Sequence, residues 1–219
     1  MHHYIIQYTN RPLGESGEPC KSEYDFSSAC NTCGTGAVLT GNLRVKGFSK
    51  IKKDFFETLD GDYIISKRLY GKIRDSFKGF TLLNVIDMRN KVLVDYYHLT
   101  SKNVLPRFQQ KSNGFVIEKQ CHDCKRNGYF NHAIIGDIKQ NIPTIVSPLN
   151  FIYKKCDFES IENSMILETW ECAGLSNKIA KGNFVIRYAR PWIIVNQQIR
   201  DLFDQEKISN IEYENVLIE

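Results

Sequence analysis

Apolar positions along the chain recur mostly at the period of strands, and two stretches switch to the period of a helix. Residues 4–8 (Tyr-Ile-Ile-Gln-Tyr) form a first run of β-branched and aromatic side chains, read as a strand. From Thr9 to about Ser28 the chain is rich in Gly, Pro, Ser and Glu and poor in aliphatics, so a long loop is expected there, able to present a binding surface. Ala37–Thr40 and Leu43–Val45 flank Gly41-Asn42, which predicts a strand pair about that turn. Phe48–Leu59 fits two templates. Phe48, Ile51, Phe55 and Leu59 have helical spacing, whereas Asp54–Leu59 also suits an extended segment, and periodicity does not separate the two.

Tyr63-Ile64-Ile65 reads as a strand. Ser66 then offers a hydroxyl to an orphan backbone N–H one turn on, and Leu69, Ile73 and Phe77 repeat every four residues. A helix is predicted here, stopped by Gly79 and followed by a strand over Phe80–Ile86. The same order recurs near the other end. Trp192–Val195 reads as a strand, Asn196 takes the N-cap place, and Ile199, Leu202 and Phe203 form an apolar helix face. Ser209-Asn210 breaks that helix, and Ile211–Val216 alternates as a strand. Aligning Ser66 with Asn196 places Leu69 on Ile199 and Ile73 on Phe203 without a gap. Two similar strand–helix–strand units are therefore expected, at about 62–86 and 191–217, related by duplication or by convergence on a common unit. Val92–Tyr97, Gly114–Lys119, Gly128–Phe130 and Phe184–Tyr188 read as further strands, with a short apolar Ile145-Val146 between them. The fold class expected is α+β, a mixed sheet in a single domain over residues 1–219.

Composition narrows the function more than it names it. A hydrophobic content of 42% and a charged content of 25% are those of an ordinary globular chain, with core enough to fold without a metal. The apolar runs are strand-length, far short of the ~20 residues of a membrane-spanning helix. The first residues lack a basic stretch leading into an apolar one, so no secretory signal is expected. A net charge of +4 fits a solvated, mildly basic surface and does not itself imply a nucleic-acid partner. Seven cysteines cannot all pair internally, and two C-x-x-C pairs without a secretion signal favour metal binding in a reducing, cytoplasmic compartment over disulfides.

Those pairs are Cys30-Asn31-Thr32-Cys33-Gly34 and Cys121-His122-Asp123-Cys124-Lys125. Two residues between cysteines let one tight turn aim both sulfurs at a point, and two such turns supply four thiolates, the ligand set of a closed tetrahedral zinc site. Gly34 and Gly36 suit such a knuckle, because the turn needs backbone freedom and a close approach of N–H groups to sulfur. Strand, knuckle, strand over 114–132 is the layout of a zinc-ribbon hairpin, its other half lying at 28–45. The distance between the pairs is long for a compact ribbon, yet closure entropy grows only logarithmically with loop length. Free thiols or a redox pair are the alternative, although a redox C-x-x-C normally opens a helix and neither pair precedes a convincing one. Four thiolates would fill the coordination sphere, so Cys30, Cys33, Cys121 and Cys124 point to a structural and not a catalytic Zn2+. His122 lies between two ligands and would point away; His98 reads as a strand residue with an ordinary partner. There is no phosphate-cradling glycine loop and no nucleophile elbow, and Glu168 and Glu171 near Cys172 are a spacing any charged chain shows by chance. No catalytic or cofactor-binding residue is assigned.

With Pro191–Val195 leading to Ile211-Glu212-Tyr213, the two cysteine pairs make the chain resemble the bacterial double-CxxCG proteins, grouped with immunity-type proteins of polymorphic toxin systems. Lys125 departs from that pattern, standing where a glycine is expected. The resemblance implies a non-enzymatic, metal-stabilised binding protein that neutralises a cognate toxin by direct binding. The alternative is a zinc-ribbon nucleic-acid binder, with Lys119, Lys125, Arg126, Tyr129 and Phe130 as its basic and aromatic face.

Overall fold

The computed structural model of the chain describes residues 2–48, 51–76, 81–89, 92–136, 144–159, 161, 164–176 and 189–219. In chain order its strands begin with β1 (His3–Tyr8), β2 (Glu15–Ser16), β3 (Tyr24–Asp25), β4 (Val38–Leu39), β5 (Leu43–Lys46), β6 (Phe55–Glu57) and β7 (Tyr63–Ser66). Helix α1 (Lys67–Ser76) follows, then β8 (Thr81–Asp87), β9 (Val92–Thr100), β10 (Phe115–Ile117), β11 (Tyr129–Asn131), β12 (Ala133–Ile134), β13 (Ile145–Val146) and β14 (Ile152–Tyr153). A single turn, α2 (Cys156–Glu159), precedes β15 (Ile166–Ala173) and β16 (Arg190–Asn196). Helix α3 (Gln197–Gln205), β17 (Ile211–Asn215) and β18 (Leu217–Ile218) complete a sheet-rich α+β architecture.

Two six-stranded sheets dominate. One has the order β10-β11-β15-β16-β1-β17 and the other β2-β5-β8-β9-β7-β6. Both are mixed, with β11 parallel to β15 and β5 parallel to β8. Each long helix connects two strands that are not neighbours. β7 and β8 both run antiparallel to β9, which lies between them. β16 and β17 both run antiparallel to β1 in the same way. An outer antiparallel strand completes each set, β6 beside β7 and β15 beside β16. The middle strand follows its helix in one set and comes from the start of the chain in the other.

Both predicted caps are in place. The Leu69 N–H donates to Ser66 Oγ at 3.2 Å, and the Ile199 N–H donates to Asn196 Oδ1 at 3.1 Å. Leu69, Ile73, Ile199 and Phe203 are fully buried in one apolar core, shared with Tyr4 and Ile6 of β1, Ile193 and Val195 of β16, and Phe55, Tyr63 and Ile65 of the second sheet. The opposite face of the first sheet carries a second core around Ile5, Trp192, Ile194 and Phe151, and that of the second sheet a third around Leu43, Phe56, Ile64 and Val85. Burial on both faces explains why β1, β7 and β16 read as continuous apolar runs, without clean alternation.

Several expectations are corrected. β4 and β5 do not pair with each other across Gly41-Asn42: β4 pairs with β3, and β5 with β2 and β8. Leu43 and Val45, on a strand of the second sheet, are fully buried in its outer core, while Val38 is largely exposed, so the two strands serve different sheets. Residues 9–28 are not a free loop, because β2, a 3-10 turn at Glu18–Cys20 and β3 weave them into the fold and bury Cys20 completely. The ambiguous Phe48–Leu59 stretch is extended where it is regular, at β6. β15, a central strand of the first sheet, had no counterpart in the apolar pattern. Phe77, the Gly79 stop, Phe80 and the Phe184–Tyr188 strand lie outside the described residues. Among the described residues no helix is long and apolar enough to cross a membrane.

Candidate metal centre

Each cysteine pair sits at the tip of a hairpin. β3 and β4 pair through Tyr24↔Leu39 and Asp25↔Val38, and the first knuckle lies in the connection between them. β10 and β11 pair through Ile117↔Tyr129 and carry the second, in the predicted strand–knuckle–strand order. Both knuckles close the same way. The Gly34 N–H donates to the Cys30 carbonyl at 2.8 Å, and the Lys125 N–H donates to the Cys121 carbonyl at 3.0 Å. Gly34 has φ +82° and Lys125 has φ +54°, so the lysine adopts the left-handed conformation that glycine favours at this place. The departure from the double glycine pattern is one of residue type and not of shape.

The hairpins bring the sulfurs of Cys30, Cys33, Cys121 and Cys124 within 4.8 Å of one another, a group that could hold a metal ion. Across the two knuckles Cys30 and Cys121 Sγ are 3.9 Å apart, and Cys33 and Cys124 Sγ are 3.6 Å apart. A disulfide would need about 2.05 Å. A tetrahedron with metal–sulfur bonds of about 2.3 Å has edges of about 3.8 Å, so the donor set fits one tetrahedral ion. Cys20, Cys156 and Cys172 stand outside the group.

Neighbouring groups hold the knuckles in place. The Thr35 N–H approaches Cys33 Sγ at 3.5 Å, and the Thr35 hydroxyl lies 3.1 Å from the same sulfur and donates to Ser176 Oγ at 2.7 Å. Buried Asn127 accepts the Cys121 N–H through Oδ1 at 2.9 Å. The Thr32 hydroxyl donates to Asp123 across the two turns. His122 is 84% exposed and pairs with Asp123 at 2.9 Å; its ring does not turn away from the site as expected, since a ring nitrogen lies within 4.8 Å of Cys121 Sγ and of the Asp123 carboxylate. Burial pushes the Cys30 thiol up, but the N–H groups of Cys33 and Thr32 and the adjacent sulfurs outweigh it and bring it to about 7. Burial raises Cys33 and pushes Cys124 up to about 12. Thiols so crowded cannot all ionise unaided, since each new thiolate repels the last; a divalent cation at their centre removes that obstacle.

The nucleic-acid face drawn from the sequence is only partly available. Tyr129 is 1% exposed and belongs to the second core, so it cannot stack on a base. The Arg126 guanidinium lies over the Trp170 ring at 5.4 Å and donates Nε–H to the Trp170 carbonyl at 3.0 Å. Lys119 and Lys125 remain exposed.

A second cluster has no sequence motif. Arg190 on β16 donates to both Glu18 carboxylate oxygens at 3.0 and 2.9 Å, to Asp62 at 2.7 and 3.4 Å, and to the Tyr24 hydroxyl at 3.2 Å. Asp62 also accepts the Ser16 hydroxyl at 2.6 Å and lies 3.5 Å from His98 Nε2. Desolvation would raise the Asp62 carboxyl, but the Arg190 charge and hydrogen bonds hold it below the usual range. Burial keeps His98 neutral, lowering its pKa against the pull of Asp62. Its traces in the sequence are glycines at positions 17 and 61, where a Cβ would stand 2.6 Å from Arg190 Nη2 and 3.2 Å from Arg190 Cγ.

No protein-family model matches the chain, and no curated protein sequence matches it.

Proposed function

We propose that Cys30, Cys33, Cys121 and Cys124 hold one structural zinc ion, and that the protein is a non-enzymatic, cytoplasmic binding protein acting on another protein. The observation that carries this reading is the pair of Sγ–Sγ edges at 3.9 and 3.6 Å, made by sulfurs from two hairpins distant in sequence. Four thiolates around a tetrahedral ion suit zinc, leave no position for water, and make the metal a poor Lewis acid. A closed site of this kind pins hairpin tips without enlarging the core, which suits a recognition surface. The double-CxxCG resemblance supports the finer form, an immunity-type protein that neutralises a cognate toxin by direct binding. Buried Tyr129 and the Trp170-bound Arg126 weigh against the nucleic-acid alternative.

Elemental analysis of protein purified without chelators tests the metal. One zinc per chain is expected, absent from Cys121→Ser together with a fall in the unfolding midpoint. A metal-free wild type as stable as the loaded one would overturn the structural-zinc reading. Co-purification from the source cells tests the partner: a stoichiometric protein surviving high salt is expected, whereas retention of nucleic acid alone, falling steeply with salt, would replace it with the alternative.

A further inference from the structure

Between the cysteine-bearing hairpins and the Arg190 cluster lies a cavity of about 440 Å³, lined among others by Leu39, Leu99, Val104 and Ile193. Small-ligand sites run from roughly 300 to 1,000 Å³ and place a few polar groups in mostly apolar walls. Of the charged side chains in this wall, Asp62 and Arg190 are committed to each other, and Arg190 also to Glu18. Three others keep hydrogen-bonding atoms unused among the described residues, although Glu168 also feels the charges of Arg190 and Arg126. Glu168 accepts the Thr100 hydroxyl at 2.5 Å and the Ser101 N–H at 2.8 Å, both on Oε1, while Oε2 has no hydrogen-bond partner among the described residues. Arg126 uses Nε on the Trp170 carbonyl, and its two terminal nitrogens have no acceptor among the described residues. Lys102 is exposed at the rim without an ion pair among the described residues. Gly36, φ +91°, makes room for the arginine, since a Cβ there would stand 2.5 Å from Arg126 Nη1.

An isolated carboxylate in such a cavity would select amines, and isolated cations would select simple anions. Unused groups of both signs in one apolar-walled space select a ligand that carries both charges. We infer that this cavity binds a free α-amino acid with an apolar side chain: its ammonium meets Glu168 Oε2, its carboxylate meets Arg126 and Lys102, and its side chain packs among Leu39, Leu99, Val104 and Ile193. Gly36–Leu39 follow the first cysteine pair and Arg126 the second, so the wall of the site is carried by the knuckles.

Calorimetric titration of the full chain with L-leucine, L-methionine and L-phenylalanine tests this, beside N-acetyl-L-leucine and L-leucinamide. Saturable binding of at least one free amino acid is expected. Blocking either end should weaken it at least about tenfold, the scale of one lost charge-assisted hydrogen bond. Glu168→Gln keeps an oxygen for Thr100 and Ser101 and should lose affinity for the free amino acid by a similar factor. Lys102→Ala, on the exposed rim, should weaken binding with an unchanged unfolding midpoint. Absence of binding at millimolar concentration, equal binding of the blocked forms, or an unaffected Glu168→Gln would each overturn the inference. None of these results alters the zinc content, so the metal reading stands or falls separately.

Discussion

Lys125 and Gly34 hold the same place in two turns of the same shape, and only one of them is suited to it. A non-glycine residue in the left-handed region costs about 1 kcal/mol, and the Lys125 side chain is exposed. Lys125→Gly should therefore stabilise the protein by up to about 1 kcal/mol, read as a higher urea midpoint. A lower midpoint would mean that the lysine side chain contributes something its exposure does not suggest. Arg190 is the opposite case. Removing it leaves Glu18 and Asp62 buried without their counter-charge. Arg190→Met is expected to cost on the order of 3–5 kcal/mol, because it breaks a buried ion pair and does not replace the whole of it. A loss below 1 kcal/mol in equilibrium unfolding would place the cluster among solvent-screened pairs.

At the scale of elements, both long helices start the same way, and the first two turns of α1 meet the end of α3. The cap of α3 is buried, and its side-chain oxygen takes the orphan N–H of Ile199. Asn196→Ala should cost about 1 kcal/mol of stability, and Asn196→Asp much less. Equal losses for the two would show that packing and not the cap bond sets the cost. Arg68 and Lys72 of α1 reach Glu206 just past the end of α3, Lys72 at 3.1 Å. The Arg68 and Lys72 side chains are about half exposed, so solvent screens these pairs and they add little; the shared apolar core holds the helices. The repeated strand–helix–strand pattern was legible because caps and apolar spacing are local properties. The strand inserted between each pair was not, since β9 and β1 come from opposite sides of their helices in sequence. β15 escaped the apolar pattern because Glu168 and Glu171 turn inward: Glu168 is held by Thr100 and Ser101, and Glu171 accepts the Phe108 N–H at 3.2 Å. Two carboxylates in a strand look like a solvated face until their partners from other elements are known.

Across the whole molecule, buried carboxyls set the dependence of stability on pH. Burial pushes Glu57 up to about 7, aided by the nearby Asp62 charge. Burial likewise raises Glu171 to about 7, against backbone N–H groups that lower it. In the unfolded chain both lose their protons near 4.5. Between those values the folded state holds protons that the unfolded state has released, so stability falls as pH rises from about 4.5 to about 7 and levels off above. Asp62 acts the other way: its depressed carboxyl contributes stability that is present above about 4 and lost as pH falls below it. His98, kept neutral by burial, also disfavours the fold as pH drops below its ordinary value. The variants and not the wild-type slope alone thus decide the point. Urea unfolding at pH 5 and pH 8 should show that Glu57→Gln with Glu171→Gln selectively removes stability lost on going to pH 8. An identical pH difference in wild type and double variant would mean that neither carboxyl stays protonated in the fold.

The amino-acid sequence by itself determined the local parts: the two C-x-x-C turns, the helix starts at Ser66 and Asn196, the apolar helix faces, and the hairpin around the second knuckle. Each depends on residues within one or two turns of chain, so spacing and side-chain type suffice. Only the tertiary structure decided that the two knuckles come together, that residues 9–28 are woven into the fold through β2 and β3, and that Glu18, Asp62 and Arg190 close on one another from three distant segments. Such contacts depend on strand order and register, which short-range periodicity does not encode. They also involve charged residues that are buried only because their partners arrive from elsewhere in the chain.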